Sequence, residues 1–143
     1  MNEKDNLYNR ILTDKETEYY SALLIDSGNA KDYLKFELFK TKFAMINAIK
    51  ISMRMGYPAN YEMLDTLFEG LQDANWPFFG ELVEMLISSY PRNILVNAID
   101  DALIKADNAE DYMWISGLYI LSNRIQVKVD ELKNYRLFDK RDF

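Results

Sequence analysis

Three prolines and five glycines are all that interrupt this 143-residue chain, and between them the apolar residues recur three and four positions apart. That spacing lines one face of an α-helix, whereas a half-buried strand needs strict alternation. Proline cannot donate a backbone hydrogen bond and is tolerated only in the first turn of a helix, so each proline marks an end or a beginning. The chain is therefore predicted to be all-α. Its short amphipathic helices joined by tight turns are expected to stack in antiparallel pairs as a small α-solenoid, or to form a plain helical bundle.

The segments follow from that rule. A short helix is expected over 4–12 through Leu7, Tyr8 and Leu12, and a second over 15–26, N-capped by Asp14. The second turns Tyr19, Tyr20, Leu23 and Leu24 inward and ends at Gly28-Asn29. Residues 30–54 are expected to form one long helix, with Leu34, Phe36, Phe39, Phe43, Ile46, Ile49 and Met53 inward. Lys31, Lys35, Lys42 and Lys50 lie on its wet face. Gly56-Tyr57-Pro58 stops it and starts the next. Helices near 60–72, 77–89, 92–106 and 109–122 bury Leu64, Leu67, Phe68 and Leu71, then Phe78, Phe79, Leu82, Val83 and Leu86, then Leu95, Ala98, Ile99, Ala102 and Leu103, then Met113, Trp114, Leu118 and Leu121. A last helix falls near 126–138, and the tail "DKRDF" is expected to fray. One domain results, with N-terminal helices over 1–56 and helix pairs over 57–138.

Within "GLQDANWPFF", Pro77 predicts a helix start, and the residue before a proline is pushed out of the helical region. Asp73 and Asn75 can accept from backbone N–H groups there. Trp76 is then a wedge between two helices, with a ligand-binding indole as the alternative. The stretch "LQDANWPFFGELVEMLIS" resembles a family of short, HEAT-repeat-like bacterial helical domains of unknown function, the DUF5071 type, in which a QD-x-NWP corner recurs. Trp114 in "DYMWISGLYIL" is similar to a later helical Trp of that family, and the resemblance spans about 60–122. It implies a HEAT-like fold and a role in polymorphic-toxin immunity.

The absence of Cys and His removes cysteine nucleophiles, disulfides, Cys/His zinc sites and histidine acid–base chemistry. No phosphate-binding glycine loop, dinucleotide fingerprint or nucleophile elbow is present. Glu81 and Glu84 share a helical face, but near a helix N-terminus such a pair serves the helix dipole. Asp100, Asp101, Asp107, Glu110 and Asp111 lack the twelve-residue calcium loop, and Asp107 or Asn108 is expected to cap the following helix. Neither catalysis nor a metal or other cofactor is expected. No N-terminal segment reads as a secretion signal and no apolar run as a membrane span, which makes the cytoplasm the expected compartment.

Charge is unevenly placed. The net charge is −6, yet residues 55–91 contain six acidic side chains and no Lys or Arg. Four of these, Glu62, Asp65, Glu69 and Asp73, are spaced to line one helical face, where like charges repel. A helix shaped only by stability would mix in lysines. The stripe, extended by Asp100, Asp101 and Glu110, is the candidate partner-binding surface. The expected partner is a basic protein, with neither nucleic acid nor membrane bound directly. The chain is thus expected to be a non-enzymatic binding protein. An immunity protein that occludes a basic toxin is the first reading, and a helical-repeat adaptor is the second.

Overall fold

The computed structural model describes the backbone from residue 3 to 142 and side chains from 6 to 142. Eight α-helices are present among the described residues: α1 (Glu3–Asn9), α2 (Asp14–Ser27), α3 (Ala30–Tyr33), α4 (Ile46–Met55), α5 (Leu64–Glu69), α6 (Phe79–Ser89), α7 (Arg92–Asn108) and α8 (Tyr112–Arg124). Short 3₁₀ segments lie between and after them, and no strand occurs among the described residues. The fold is all-α. The chain forms two compact units, one of residues 1–67 and 76–78, the other of 68–75 and 79–143. The expected division at residue 56 falls inside the first.

In the first unit α2 packs on α4, and α3 packs on both α2 and the 3₁₀ segment Ala59–Met63. Helix α2 is capped one residue earlier than expected. The Thr13 side chain accepts from the Glu16 N–H, and the Glu16 carboxylate accepts from the Thr13 N–H, a reciprocal capping box. Gly28 closes the helix in the left-handed conformation at φ 71°. Tyr20 and Leu24 are buried, but Tyr19 and Leu23 face solvent, contrary to expectation. Asn47 is wholly buried. Its amide donates to the carbonyls of Leu7 (2.8 Å) and Arg10 (2.7 Å) and accepts from the Leu12 N–H (2.9 Å). One side chain thus satisfies the backbone groups left open between α1 and α2.

The long helix expected over 30–54 does not exist. It breaks into α3, a 3₁₀ turn at Phe36–Leu38, a non-helical turn and α4. Leu34 and Phe36 are both buried although only two residues apart, and a continuous α-helix would point them about 200° apart. The chain resolves the conflict by extending at Lys35 and again at Phe39, whose ring packs edge-on against Tyr8 and Phe36. Phe43 and Met53, expected inward, are exposed.

In the second unit α7 and α8 pack together, and α8 also packs on the 3₁₀ turn Gly70–Gln72. Gly117 makes that approach possible, since a β-carbon there would lie 1.8 Å from the Leu71 carbonyl oxygen. The Trp114 indole N–H donates to the Phe68 carbonyl at 3.0 Å within the same buried layer. Met113, expected beside it, is exposed. Helices α7 and α8 both end in a paired-hydrogen-bond C-cap. The Asp111 N–H reaches the Ala106 carbonyl and Glu110 that of Asp107, while Val127 reaches Ser122 and Gln126 reaches Asn123. The left-handed residue of such a cap is usually glycine, but here it is Glu110 (φ 52°) and Gln126 (φ 56°).

The C-terminal segment is not the expected helix, and the part of its tail that is described, to Asp142, is not frayed, while Phe143 lies outside the described residues. It runs as two 3₁₀ turns, Val129–Glu131 and Tyr135–Lys140, pinned along α7 and α8. Arg92 holds Glu131 through its two terminal guanidinium nitrogens and also donates to the Ile125 and Gln126 carbonyls. Lys140 pairs with Asp107 at 2.6 Å, the Asp142 N–H donates to the Ser116 hydroxyl, and Phe138 is buried.

Candidate functional site

The Trp-Pro corner differs from its expected form. Helix α6 begins at Phe79, and Pro77-Phe78 forms a turn before it. Asp73 accepts from the Asn75 N–H at 2.8 Å, which closes a local turn and caps no helix. Trp76, Pro77 and Phe78 belong to the first unit, and their neighbours on both sides to the second. The buried ring is Phe78, 2% exposed and 5.6 Å from Phe36. Trp76 is only half-buried, so it is not the expected wedge. Its ring lies 5.6 Å from Phe78 on one contact and beneath the Lys42 ammonium, 4.3 Å away, on another. A helix start at Pro77 would have kept Phe78 within the register of α6. The turn frees it to be buried against Phe36.

The acidic residues fall in both units. In the first, Glu62 lies in the 3₁₀ segment Ala59–Met63 and Asp65 in the first turn of α5, both exposed. Between and after them Met63, Leu64 and Leu67 are buried, with Thr66 among them, so the charged side chains keep to the outward face. In the second unit, Glu69 is the last residue of α5 and is exposed. Asp73 departs from the stripe, because the 3₁₀ turn at Gly70–Gln72 changes the angular step and Asp73 itself is extended at φ −144°. Its half-buried carboxylate serves the local turn.

The second cluster divides in the same way. Asp100 is a brace: its carboxylate accepts from the Asn134 N–H (2.9 Å), the Asn134 amide (3.0 Å) and the Lys133 N–H (3.3 Å). Asp111, and neither Asp107 nor Asn108, caps α8 by accepting from the Trp114 N–H at 3.0 Å. Asp101 and Glu110 are exposed, Asp101 on α7 and Glu110 just past its C-cap, Ala109. Glu84 pairs with Arg124 and Glu81 is exposed, so each lies at the surface.

Two carboxylates outside the candidate set have strongly altered acidity. Hydrogen bonding to Arg10 and then to the Thr13 backbone lowers Glu16 to about 2. Hydrogen bonding to Arg92 and then to the Lys128 N–H lowers Glu131 to about 2. Both causes are structural ion pairs at the surface. Among the described residues no group of three acidic side chains is placed to hold a metal ion, and no helix is long and apolar enough to cross a membrane. The residues that sequence reasoning missed, Asn47 and Gly117, organise the fold, whereas Phe78 is buried as expected although it lies before α6 and not within it. Comparison with protein-family models, with curated proteins and with solved structures gives no match for this chain.

Proposed function

We propose that this chain is a non-enzymatic binding protein that docks on a basic partner through acidic residues of its middle segment, and that it acts as an immunity protein occluding a toxin's cationic surface. The observation that carries the reading is the lysine- and arginine-free run 55–91, in which Glu62, Asp65 and Glu69 face solvent while Met63, Leu64, Leu67 and Phe68 are buried. Toxins that act on nucleic acids need Lys and Arg for phosphate contact, and an acidic surface competes for those same groups. Complementary charge speeds encounter and excludes partners of the wrong sign. Glu110 adds support: an exposed acid occupies a left-handed position that glycine would fill at lower cost. The resemblance of the Trp-Pro corner to the HEAT-like immunity-associated family points the same way.

The test starts from the product of the neighbouring gene, captured with the full-length chain. Association rates are then measured at low and high ionic strength for the parent and for Glu62→Lys/Asp65→Lys/Glu69→Lys. The triple reversal should keep its fold, since such surface changes cost within about 0.5 kcal/mol each. It should slow association by roughly tenfold or more at low salt, and by much less at high salt. A control that reverses two charges elsewhere, Lys31→Glu/Lys35→Glu, should leave the rate nearly unchanged. Equal, salt-independent rates for all three proteins would remove these acidic residues from any docking role.

A second reading has its own support in the second unit. Ile104, Tyr112 and Met113 are each at least 40% exposed. Exposed apolar side chains of this kind suit a helical-repeat adaptor that grips a partner by contact area. Binding that survives the charge reversal but is lost in Ile104→Ser/Met113→Ser would favour the adaptor.

A further inference from the structure

The turn that interrupts the expected long helix carries a feature the fold does not use. Phe43 stands 63% exposed in a turn whose other outward side chains are Lys40, Thr41 and Lys42, and Leu38 just before it is 39% exposed. The turn is built to hold that presentation. The Thr41 hydroxyl accepts from the Ala44 N–H at 3.0 Å, the Phe43 carbonyl from the Ile46 N–H, and the Lys40 N–H donates to the Tyr8 carbonyl at 2.8 Å. Phe39 roots it by packing edge-on against Tyr8 and Phe36. Among the described residues, no ion pair engages Lys35, Lys40 or Lys42, although Lys42 lies over the Trp76 ring. Residues 31–54 hold six basic side chains against two acidic, Asp32 and Glu37, so the local charge is positive on a chain of net charge −6. Within a Debye length of about 10 Å the local charge governs what approaches.

We infer that the Lys40–Phe43 turn of the first unit docks on an anionic phospholipid surface, with Phe43 and Leu38 entering the headgroup boundary and Lys35, Lys40 and Lys42 meeting lipid phosphates and carboxylates. From the sequence, Lys35 and Lys42 were expected on a solvated helix face and Lys40 had no assigned place. The structure changes their meaning by placing an exposed aromatic ring among them. A single-stranded nucleic acid would also attract the lysines, but it needs flat rings on which successive bases stack. Here one of the two exposed apolar side chains is an aliphatic leucine, and the larger Trp76 ring already carries Lys42. Pairing basic residues with an apolar anchor is the composition of peripheral membrane contact, and each lysine near an anionic surface contributes roughly fivefold in affinity. The proposal is independent of docking through the acidic residues.

The full-length chain is sedimented with phosphatidylcholine vesicles and with vesicles in which part of that lipid is replaced by phosphatidylserine, at low and high salt. Binding is expected only to the phosphatidylserine vesicles and is expected to fall with salt. Lys40→Glu/Lys42→Glu should weaken it by roughly tenfold or more, and Phe43→Ser severalfold. Both variants change exposed positions, and a parent-like thermal transition verifies that they fold. Lys15→Glu/Lys133→Glu imposes the same net charge change elsewhere and should bind within about twofold of the parent. Absence of binding to phosphatidylserine vesicles would overturn the proposal, as would equal losses in the two double variants. Binding of a labelled single-stranded oligonucleotide with no vesicle binding would overturn it in favour of a nucleic-acid contact.

Discussion

Trp76 and Phe78 exchange the roles that their sizes suggest. The indole is half-buried under Lys42, while the phenyl ring is closed in against Phe36. Phe78→Ala should therefore cost about 3–5 kcal/mol, the range for a buried ring replaced by a cavity. Trp76→Ala should cost only about 1–2 kcal/mol, from one ring contact and one cation–π contact. Urea denaturation of both variants measures the difference, and equal costs would restore Trp76 as the wedge. At Gly117 the added β-carbon of Gly117→Ala would meet a backbone oxygen at 1.8 Å, and backbone cannot swing aside as a side chain can. That substitution should cost about 3 kcal/mol or more, at the upper end for overpacking. An alanine variant as stable as the parent would mean that α8 can move off the Leu71 turn.

Elements here are held by their ends as much as by their faces. The capping box of α2, the Asp111 cap of α8 and the Glu131 anchor of the C-terminal segment each satisfy backbone N–H groups with a side-chain oxygen. The Glu131 anchor depends on pH. Its folded-state pKa is depressed from 4.5 to about 2, first by Arg92 and then by the Lys128 N–H. A depressed pKa contributes stability that is present above the ordinary value and lost as pH falls from about 4.5 towards 2. A carboxyl-carbon NMR titration of the parent should show Glu131 protonating near the lower value. In Arg92→Ala it should rise towards the ordinary one, because the largest cause is gone. Titration near the ordinary value in both proteins would mean that the Arg92 contact does not form in solution.

For the molecule as a whole, charge is segregated along the chain. Basic side chains dominate 31–54, and 55–91 has none. The two proposals use opposite ends of that asymmetry, so their salt tests give separate answers. Reversing Glu62, Asp65 and Glu69 should slow capture of a basic protein without affecting vesicle binding. Reversing Lys40 and Lys42 should do the opposite. A variant set in which both activities fell together would point to general destabilisation, which a thermal transition would detect.

Helical class, the stops at Gly28 and Gly56, and the inward faces of α5, α6 and α7 were legible in the sequence. Each depends on interactions between residues within a few positions of one another, such as helical spacing and a left-handed glycine. The break after α3 left a local trace too, since Leu34 and Phe36 are two residues apart and one helix cannot bury both. The exposure of Phe43 left none, nor did the turn that carries Phe78 outside α6, the bracing role of Asp100 or the pinning of the C-terminal segment as far as Asp142. Asp100 acquires its role only when Asn134 arrives 34 residues later, and Lys140 finds its ion-pair partner in Asp107, 33 residues back. The acidity of 55–91 was written in the sequence, but which of its carboxylates remain on the surface was decided by tertiary structure. A side chain's charge is its own, whereas its exposure depends on distant parts of the chain that fold against it.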